Sequence, residues 1–514
     1  MSEYLSFFLG IIPLIAMIVM ILKLKTPIHY AVLISLAITL AIAGIFWSTP
    51  VQSLSMATLY GASKGLWPIV IVILAAIYSY NLMLKTGSME VIKNVLANIS
   101  DDKRIQILLI TWCFGGFLEA AAGYGTAVAI PIGILAALGF NPLKAAVASL
   151  VANSVPTAFG AVGIPVSILA EQTGLPVLEL GSTIVMQLAL FNILLPFVIV
   201  AIGGGGIRSI KGVFFITLMC GVSTLIPQYI VATYLGAELP AFAGSLVSLL
   251  VTVFLAKRHK TPKSEQTQGE QREVVKYTGV QLFRASAIYL LIFIFILLCS
   301  PLFPGVKNAV GQISSVFPFA LSDTNVLKLK IEWLSTPGVL IIIATFIGGA
   351  IQGAGIGTML SILRATVIQL KNSVIAIAAI VAMATVMDTS GMIGAIANTL
   401  VSVTGNGYLF IAPVIGALGT FVTGSDTNSN ILFGKLQTSA AAQLNVDPVM
   451  LAAANTSGAT GGKMISPQSI AIAVSATKMD GQGSAIMSGA LKYCAIYIII
   501  LGIKIGAIFY LFHL

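Results

Sequence analysis

The sequence predicts an all-α polytopic membrane protein made of two inverted-topology repeats with broken helices and re-entrant hairpins. Three observations carry that prediction: an apolar composition, long apolar runs recurring along the chain, and helix breakers at matching places in its two halves. Hydrophobic residues make up 58% of the chain and charged ones 9%, against roughly 45–50% and 25% in ordinary soluble domains. Such a chain folds in a lipid bilayer. Strands of an outer-membrane barrel would alternate apolar and polar residues, and these runs do not.

The runs appear in order as Leu5–Leu22, Ala31–Trp47, Leu66–Leu84, Ile184–Ile202, Val213–Leu235, Phe242–Leu255, Ala285–Cys299, Val339–Ile351 and Ala490–Phe512. Most can cross a hydrocarbon core of about 30 Å. With re-entrant pieces counted, about 12 to 14 membrane segments are expected. Lys23 and Lys25 follow the first run without a small-residue cleavage motif, so it reads as a retained helix rather than a signal peptide. Cys113, Cys220, Cys299 and Cys494 show no CxxC spacing. They read as thiols packed like small hydrophobes, with no disulfide, metal or cofactor implied.

The net charge of +10 comes from basic residues gathered in short loops, which the positive-inside bias explains. No basic, aromatic-interleaved patch argues for nucleic acid. The longest polar stretch, Lys257 to Lys276, holds six Lys or Arg and reads as cytoplasmic, together with Lys23–Lys25, Lys85–Arg104, Arg208–Lys211 and Arg364–Lys371. Counting spans places the N-terminus outside. The polar stretch reads as a linker over 257–280 between a membrane half at 1–256 and another at 281–514.

Repetition supports this division. A shift of 304 sets Gly391 on Gly87, Asn398 on Asn94 and Phe421 on Phe117, and a shift of 302 sets Asn455 on Asn153, Gly462 on Gly160 and Pro467 on Pro165. The repeat units cover about 66–170 and 370–474. The two copies enter the membrane from opposite faces, the arrangement of many secondary transporters.

The breaks are the expected seat of the chemistry. They are "GFLEAAAGYGTAVAIP" and "ANSVPTAFGAVGIP" in the first copy, "GTFVTGSDTNSNILFG" and "ANTSGATGGKMISPQS" in the second. Broken helices free backbone groups that hydrocarbon cannot satisfy, and half-helix N-termini suit a carboxylate. Ser425, Thr427, Asn428, Ser429 and Asn430 add side-chain hydrogen-bonding groups, as do Ser466 and Gln468 at the last break. A small anionic substrate fits such a wall. Ionisable groups at membrane depth are costly and point to function. Glu119 and Asp426, one at a break of each copy, are the leading proton-coupling candidates, with Asp388 next and an exposed, solvated position its alternative. Loss of hydration favours the neutral form of a carboxyl, which lets such a group carry a proton. Lys463 can meet a substrate carboxylate or pair with Asp426.

Enzyme motifs fail on context. "GASKG" at Gly61–Gly65 matches GxSxG, and "GAGIG" at Gly353–Gly357 approaches a dinucleotide fingerprint, but neither follows a plausible soluble strand. "GATGGK" ending at Lys463 misses the P-loop spacing, and three scattered His residues form no cluster. The chain reads as no enzyme.

At these residues the chain resembles the lactate permeases of bacteria. The resemblance rests on Gly65–Gly87, Gly115–Ala146, Val151–Pro165, Gly419–Gln437 and Ala452–Ala473. It implies proton-coupled uptake of L-lactate, with glycolate a further substrate, across the bacterial plasma membrane. Similarity to a wider superfamily with Asn-Ser or Asn-Thr hairpin tips implies that Asn153-Ser154 and Asn455-Thr456 line the substrate site. It also implies a transport domain moving against a scaffold. Tyr124 and Ala127 depart from an expected "GFGTP". Sodium coupling and a passive anion channel remain as alternatives, and an oligomer is compatible with the sequence.

Overall fold

The computed structural model describes residues 2–123, 125–261, 277–479 and 481–512. Tyr124 and most of the expected linker, 262–276, lie outside the described residues. Ten helices among the described residues are long and apolar enough to cross a bilayer, from Glu3–Leu22 to Gly483–Leu511. Three shorter apolar helices, Thr126–Ala137, Pro240–Ala256 and Pro337–Ile351, accompany them, and Pro142–Ala152 with Val155–Thr173 forms a pair bent by 44°. Helices satisfy their own backbone, the condition for crossing hydrocarbon. Their outward faces carry exposed apolar side chains such as Phe8, Ile45, Phe254 and Ile499.

The order of elements repeats. In the first copy helices run Ser88–Ala97, Lys103–Ala121, Thr126–Ala137, Pro142–Ala152, Gly160–Thr173 and Val177–Gly204. In the second they run Met392–Thr404, Tyr408–Thr423, Asp426–Leu444, Pro448–Lys463, Pro467–Thr477 and Gly483–Phe512. Each set follows a long helix, Val51–Lys85 or Ile356–Thr389, and these two long helices pack together.

Three features depart from the expected elements. The run expected from Leu66 begins at Val51 and passes through a wide turn at Gly65–Val70. Arg364 and Lys371, expected in a loop, lie within Ile356–Thr389, a helix of 34 residues. At 1.5 Å per residue it is about 50 Å long, so it outruns the hydrocarbon core and carries both charges on exposed positions. An antiparallel hairpin, Ser314–Ala320 with Val326–Glu332, was not expected. Its second strand alternates apolar and charged residues, a period-two signal shorter than any membrane span. Ser53 Oγ donates to the Leu321 carbonyl at 2.7 Å, and the Tyr60–Phe319 and Trp67–Trp333 ring pairs, at 5.5 and 5.3 Å, hold the hairpin against the long helix.

Behind the site, helices Tyr408–Thr423 and Pro448–Lys463 lie backbone to backbone. A Cβ on Gly458 would collide with the Pro413 carbonyl, one on Gly462 with that of Ala417, and one on Gly416 with that of Asn455. Small residues at four-residue spacing permit this approach in a membrane, where packing drives helix association.

Candidate functional site

Glu119 lies in the final turn of helix Lys103–Ala121 and is 5% exposed. The helix then breaks, with Gly123 at φ +59° and Gly125 at φ +80°. A Cβ on Gly160 would stand 2.6 Å from Glu119 Oε1, so the carboxyl occupies space that only a glycine leaves. After Gly160 the chain turns left-handed through Ala161, Val162 and Gly163, at φ 44°, 60° and 74°. For a β-branched residue such as Val162 this is a strained conformation of the kind that collects at functional sites.

The second copy supplies the facing wall. Helix Tyr408–Thr423 ends on Gly424 at φ +71°, and Ser425 caps the next helix, its Oγ accepting from the Asn428 amide at 3.3 Å. Asp426, Thr427 and Asn428 therefore form the first turn of Asp426–Leu444, where the free N–H groups and the positive helix end point to one spot. That spot is a cavity of about 130 Å³, lined from both halves by Glu119, Thr157, Gly160, the Thr423–Asn428 turn, Lys463 and Gln468. It can hold several waters or a small organic anion.

The electrostatics of this cavity are unusual. Both carboxyl oxygens of Asp426 and Oε2 of Glu119 are buried without a hydrogen-bond partner. Such groups cost stability unless a ligand, a proton or water engages them. The Thr157 and Thr420 hydroxyls approach Asp426, and the Asn153 amide approaches Glu119, without closing a hydrogen bond. Lys463 Nζ donates to the Gly424 carbonyl. Its charge acts on both acids, and it closes an ion pair with neither. Of its two expected roles, direct pairing with Asp426 is thus not adopted.

The expected site residues divide into two groups. Glu119, Ser425, Asp426, Thr427, Asn428, Lys463 and Gln468 line the cavity. Asn153 stands behind Glu119, both amide atoms buried and unpartnered, and Ser154 turns its hydroxyl to the Val151 carbonyl at 2.7 Å. Asn430, Asn455 and Thr456 are not brought to the cavity. Asn430 Oδ1 accepts from Asn455 Nδ2 at 2.9 Å and Thr456 Oγ1 at 3.0 Å, while its Nδ2 donates to the Pro165 carbonyl at 2.9 Å. These side chains are spent on helix–helix bonds. Ser466 caps the Ser469 amide at 3.2 Å. Asp388 sits exposed at the end of its helix, 3.5 Å from Lys435, so it is the solvated acid of the two readings. Thr157, Thr423 and Ser373 also line the cavity. Thr157 was within reach of sequence reasoning, inside the "SVPTAFG" break, whereas Ser373 lies mid-helix with no local signal.

The family model described as L-lactate permease matches residues 6–512. An L-lactate permease of Streptococcus iniae is 44% identical over 87% of this chain and 93% of its own. The glycolate permease GlcA of Escherichia coli K12 is 34% identical over 97% and 95%, and an L-lactate permease of Bacillus subtilis 34% over 90% and 89%. With the match running through both halves and every break that builds the cavity, the chain belongs to the L-lactate permease family.

Proposed function

We propose that this protein is a secondary transporter that carries L-lactate, and glycolate as a related 2-hydroxy acid, together with protons across the bacterial plasma membrane. The observation that supports it is the pair of buried carboxyls, Glu119 with Oε2 unpartnered and Asp426 with both oxygens unpartnered, sharing one small cavity with Lys463 and a helix N-terminus. Two carboxylates beside one ammonium leave the site net negative. A lactate anion entering it meets repulsion that low-dielectric walls screen poorly. A proton on either acid removes that repulsion, so substrate and proton load together. Thr427, Asn428 and the helix N-terminus hold the substrate carboxylate, while Ser425 and Gln468 are placed for its hydroxyl.

The division into halves at 1–256 and 281–514, the inversion of the two copies and an external N-terminus belong to the same proposal. The repeated order of elements and the cavity walls drawn from both copies support it. The test is uptake of labelled L-lactate into proteoliposomes under an imposed inward proton gradient, with and without Na⁺ and a protonophore. Accumulation that needs the gradient, ignores Na⁺ and collapses with the protonophore is expected. Uptake that requires Na⁺ would overturn proton coupling, and equilibration without accumulation would make the protein a passive anion pathway.

A further inference from the structure

A second chamber, of about 510 Å³, lies beneath the β-hairpin, with Trp67, Glu171, Glu238, Lys307, Lys330 and Glu332 in its wall. Two elements run from it to the first cavity. Trp67 lines the chamber and Ile73 the cavity; Glu171 lines the chamber and Pro165 the cavity. Six residues separate the positions of each pair; from Pro165 to Glu171, within helix Gly160–Thr173, that is about 9 Å of helical rise, while the stretch from Trp67 to Ile73 starts in the non-helical turn at Trp67. The chamber is therefore close to the site and lies along both elements.

Each of these chamber carboxylates has a cation in reach. Lys330 pairs with Glu332 at 2.7 Å, the charge of Lys307 acts on Glu238 and Glu332, and Lys64 pairs with Glu171 at 3.5 Å. The last pair differs from the others in burial. The Lys64 side chain is 7% exposed, against 55% for Lys330, and Glu171 retains 33%. Lys64 Nζ also donates to the Glu171 carbonyl at 3.3 Å and stands 5.8 Å from the Tyr60 ring centre. These contacts exceed the roughly 2.7–2.9 Å of a tight charge-assisted bond. A buried cation is screened less than an exposed one, and this one is held loosely by a carboxylate that faces the chamber. Another carboxylate arriving there can take its place.

We infer that Lys64 is a second binding group for the carboxylate of a small 2-hydroxy acid, at the chamber end of the path to Asp426, and that Glu171 is its resident competitor. The inference rests on the transport reading above, and it makes the chamber a mouth of the pathway. It also gives the "GASKG" segment a role through its lysine rather than its serine.

Cys299 lines the same chamber, and the other three cysteines are buried. Full-length protein in nanodiscs, treated with a maleimide while L-lactate is titrated, therefore reports chamber occupancy independently of transport. Lactate is expected to slow Cys299 alkylation. Glu171→Gln should move half-protection to about tenfold lower lactate and Lys64→Gln to about tenfold higher, the size of one charge-assisted contact. The double variant should follow Lys64→Gln. A merely structural pair gives the opposite pattern: both single variants impaired and the neutral double variant restored to wild type. That result, or no protection of the wild type, overturns the inference. If Lys64→Gln fails to fold, the direction of the Glu171→Gln shift decides. The protection pattern without lactate accumulation in proteoliposomes would sink the transport reading alone. Accumulation without the pattern would sink the role of Lys64 alone.

Discussion

Asn153-Ser154 and Asn455-Thr456 occupy matched positions in the two copies and do opposite things. In the first copy the helix Pro142–Ala152 stops at Asn153, and the Asn153 amide is buried with neither atom bonded. In the second the helix Pro448–Lys463 runs straight through Asn455, whose amide is bonded to Asn430 and Gln437. Three residues on, the first copy has Pro156 and the second Gly458. Proline lacks the N–H that continues a helix and restricts the residue before it, so the first helix breaks. Glycine only weakens a helix, and here it admits the Pro413 backbone. One substituted position turns a matched motif from a helix break beside the site into a helix clasp.

Changes at Gly458 test that contrast most severely. Gly458→Val places side-chain atoms where the Pro413 carbonyl lies, and overpacking costs about 1–3 kcal/mol even where neighbours can move. Because this neighbour is backbone, no folded protein is expected on size-exclusion chromatography, and a well-behaved monodisperse variant would refute the clasp.

Asp426→Asn comes next. Its folded yield should match wild type, while proton-driven accumulation drops about 100-fold or more, the scale of losing a proton-transferring group, and lactate exchange persists. Retained accumulation would shift the coupling role to Glu119. Gly160→Ala forces the Glu119 carboxyl aside, since the new Cβ would meet Oε1 at 2.6 Å. Uptake should fall about tenfold or more, as misplacement of a working group by about 1 Å does, and the shorter side chain of Glu119→Asp should restore part of it in the double variant.

The matched asparagines sharpen the comparison directly. Asn455→Ala removes one donor to buried Asn430 and should cost about 1–3 kcal/mol, seen as a lower midpoint in a thermal-stability assay with the lactate KM unchanged. Asn153→Ala should leave that midpoint in place and change the KM. Equal behaviour of the two would erase the distinction drawn here. The smallest effect belongs to Asp388→Asn. Its pair with Lys435 is exposed, and such pairs contribute about 0–1 kcal/mol, so uptake and stability should both stay at wild-type level.

Much of this was legible before any fold. A hydrocarbon solvent imposes local rules, so apolar runs, basic loops, and the breaks around Glu119 and Asp426 are written in consecutive residues. The recurrence of "AN" followed by small residues is a local signal of the same kind. Position within the site was not local. Whether an amide faces a cavity or a neighbour depends on segments far away in the chain, as with Asn430 and Pro165, which lie 265 positions apart. In the stretch "ANTSGATGGKMISPQS" the glycines at 458, 461 and 462 leave the helix Pro448–Lys463 unbroken, and the break comes only after Lys463, for the same reason: a glycine's effect depends on which backbone comes to lie against it. Lys64 and Glu171, 107 positions apart, form a pair that no spacing rule links. The sequence by itself determined a helical membrane protein with acids at its breaks, because burying a charge or a free backbone group in lipid is costly wherever it occurs. Only the tertiary structure decided which breaks open onto the cavity, which polar groups are consumed by packing, and which cation pairs with Glu171 at the wall of the second chamber, because the contacts that decide these are made between helices rather than along one.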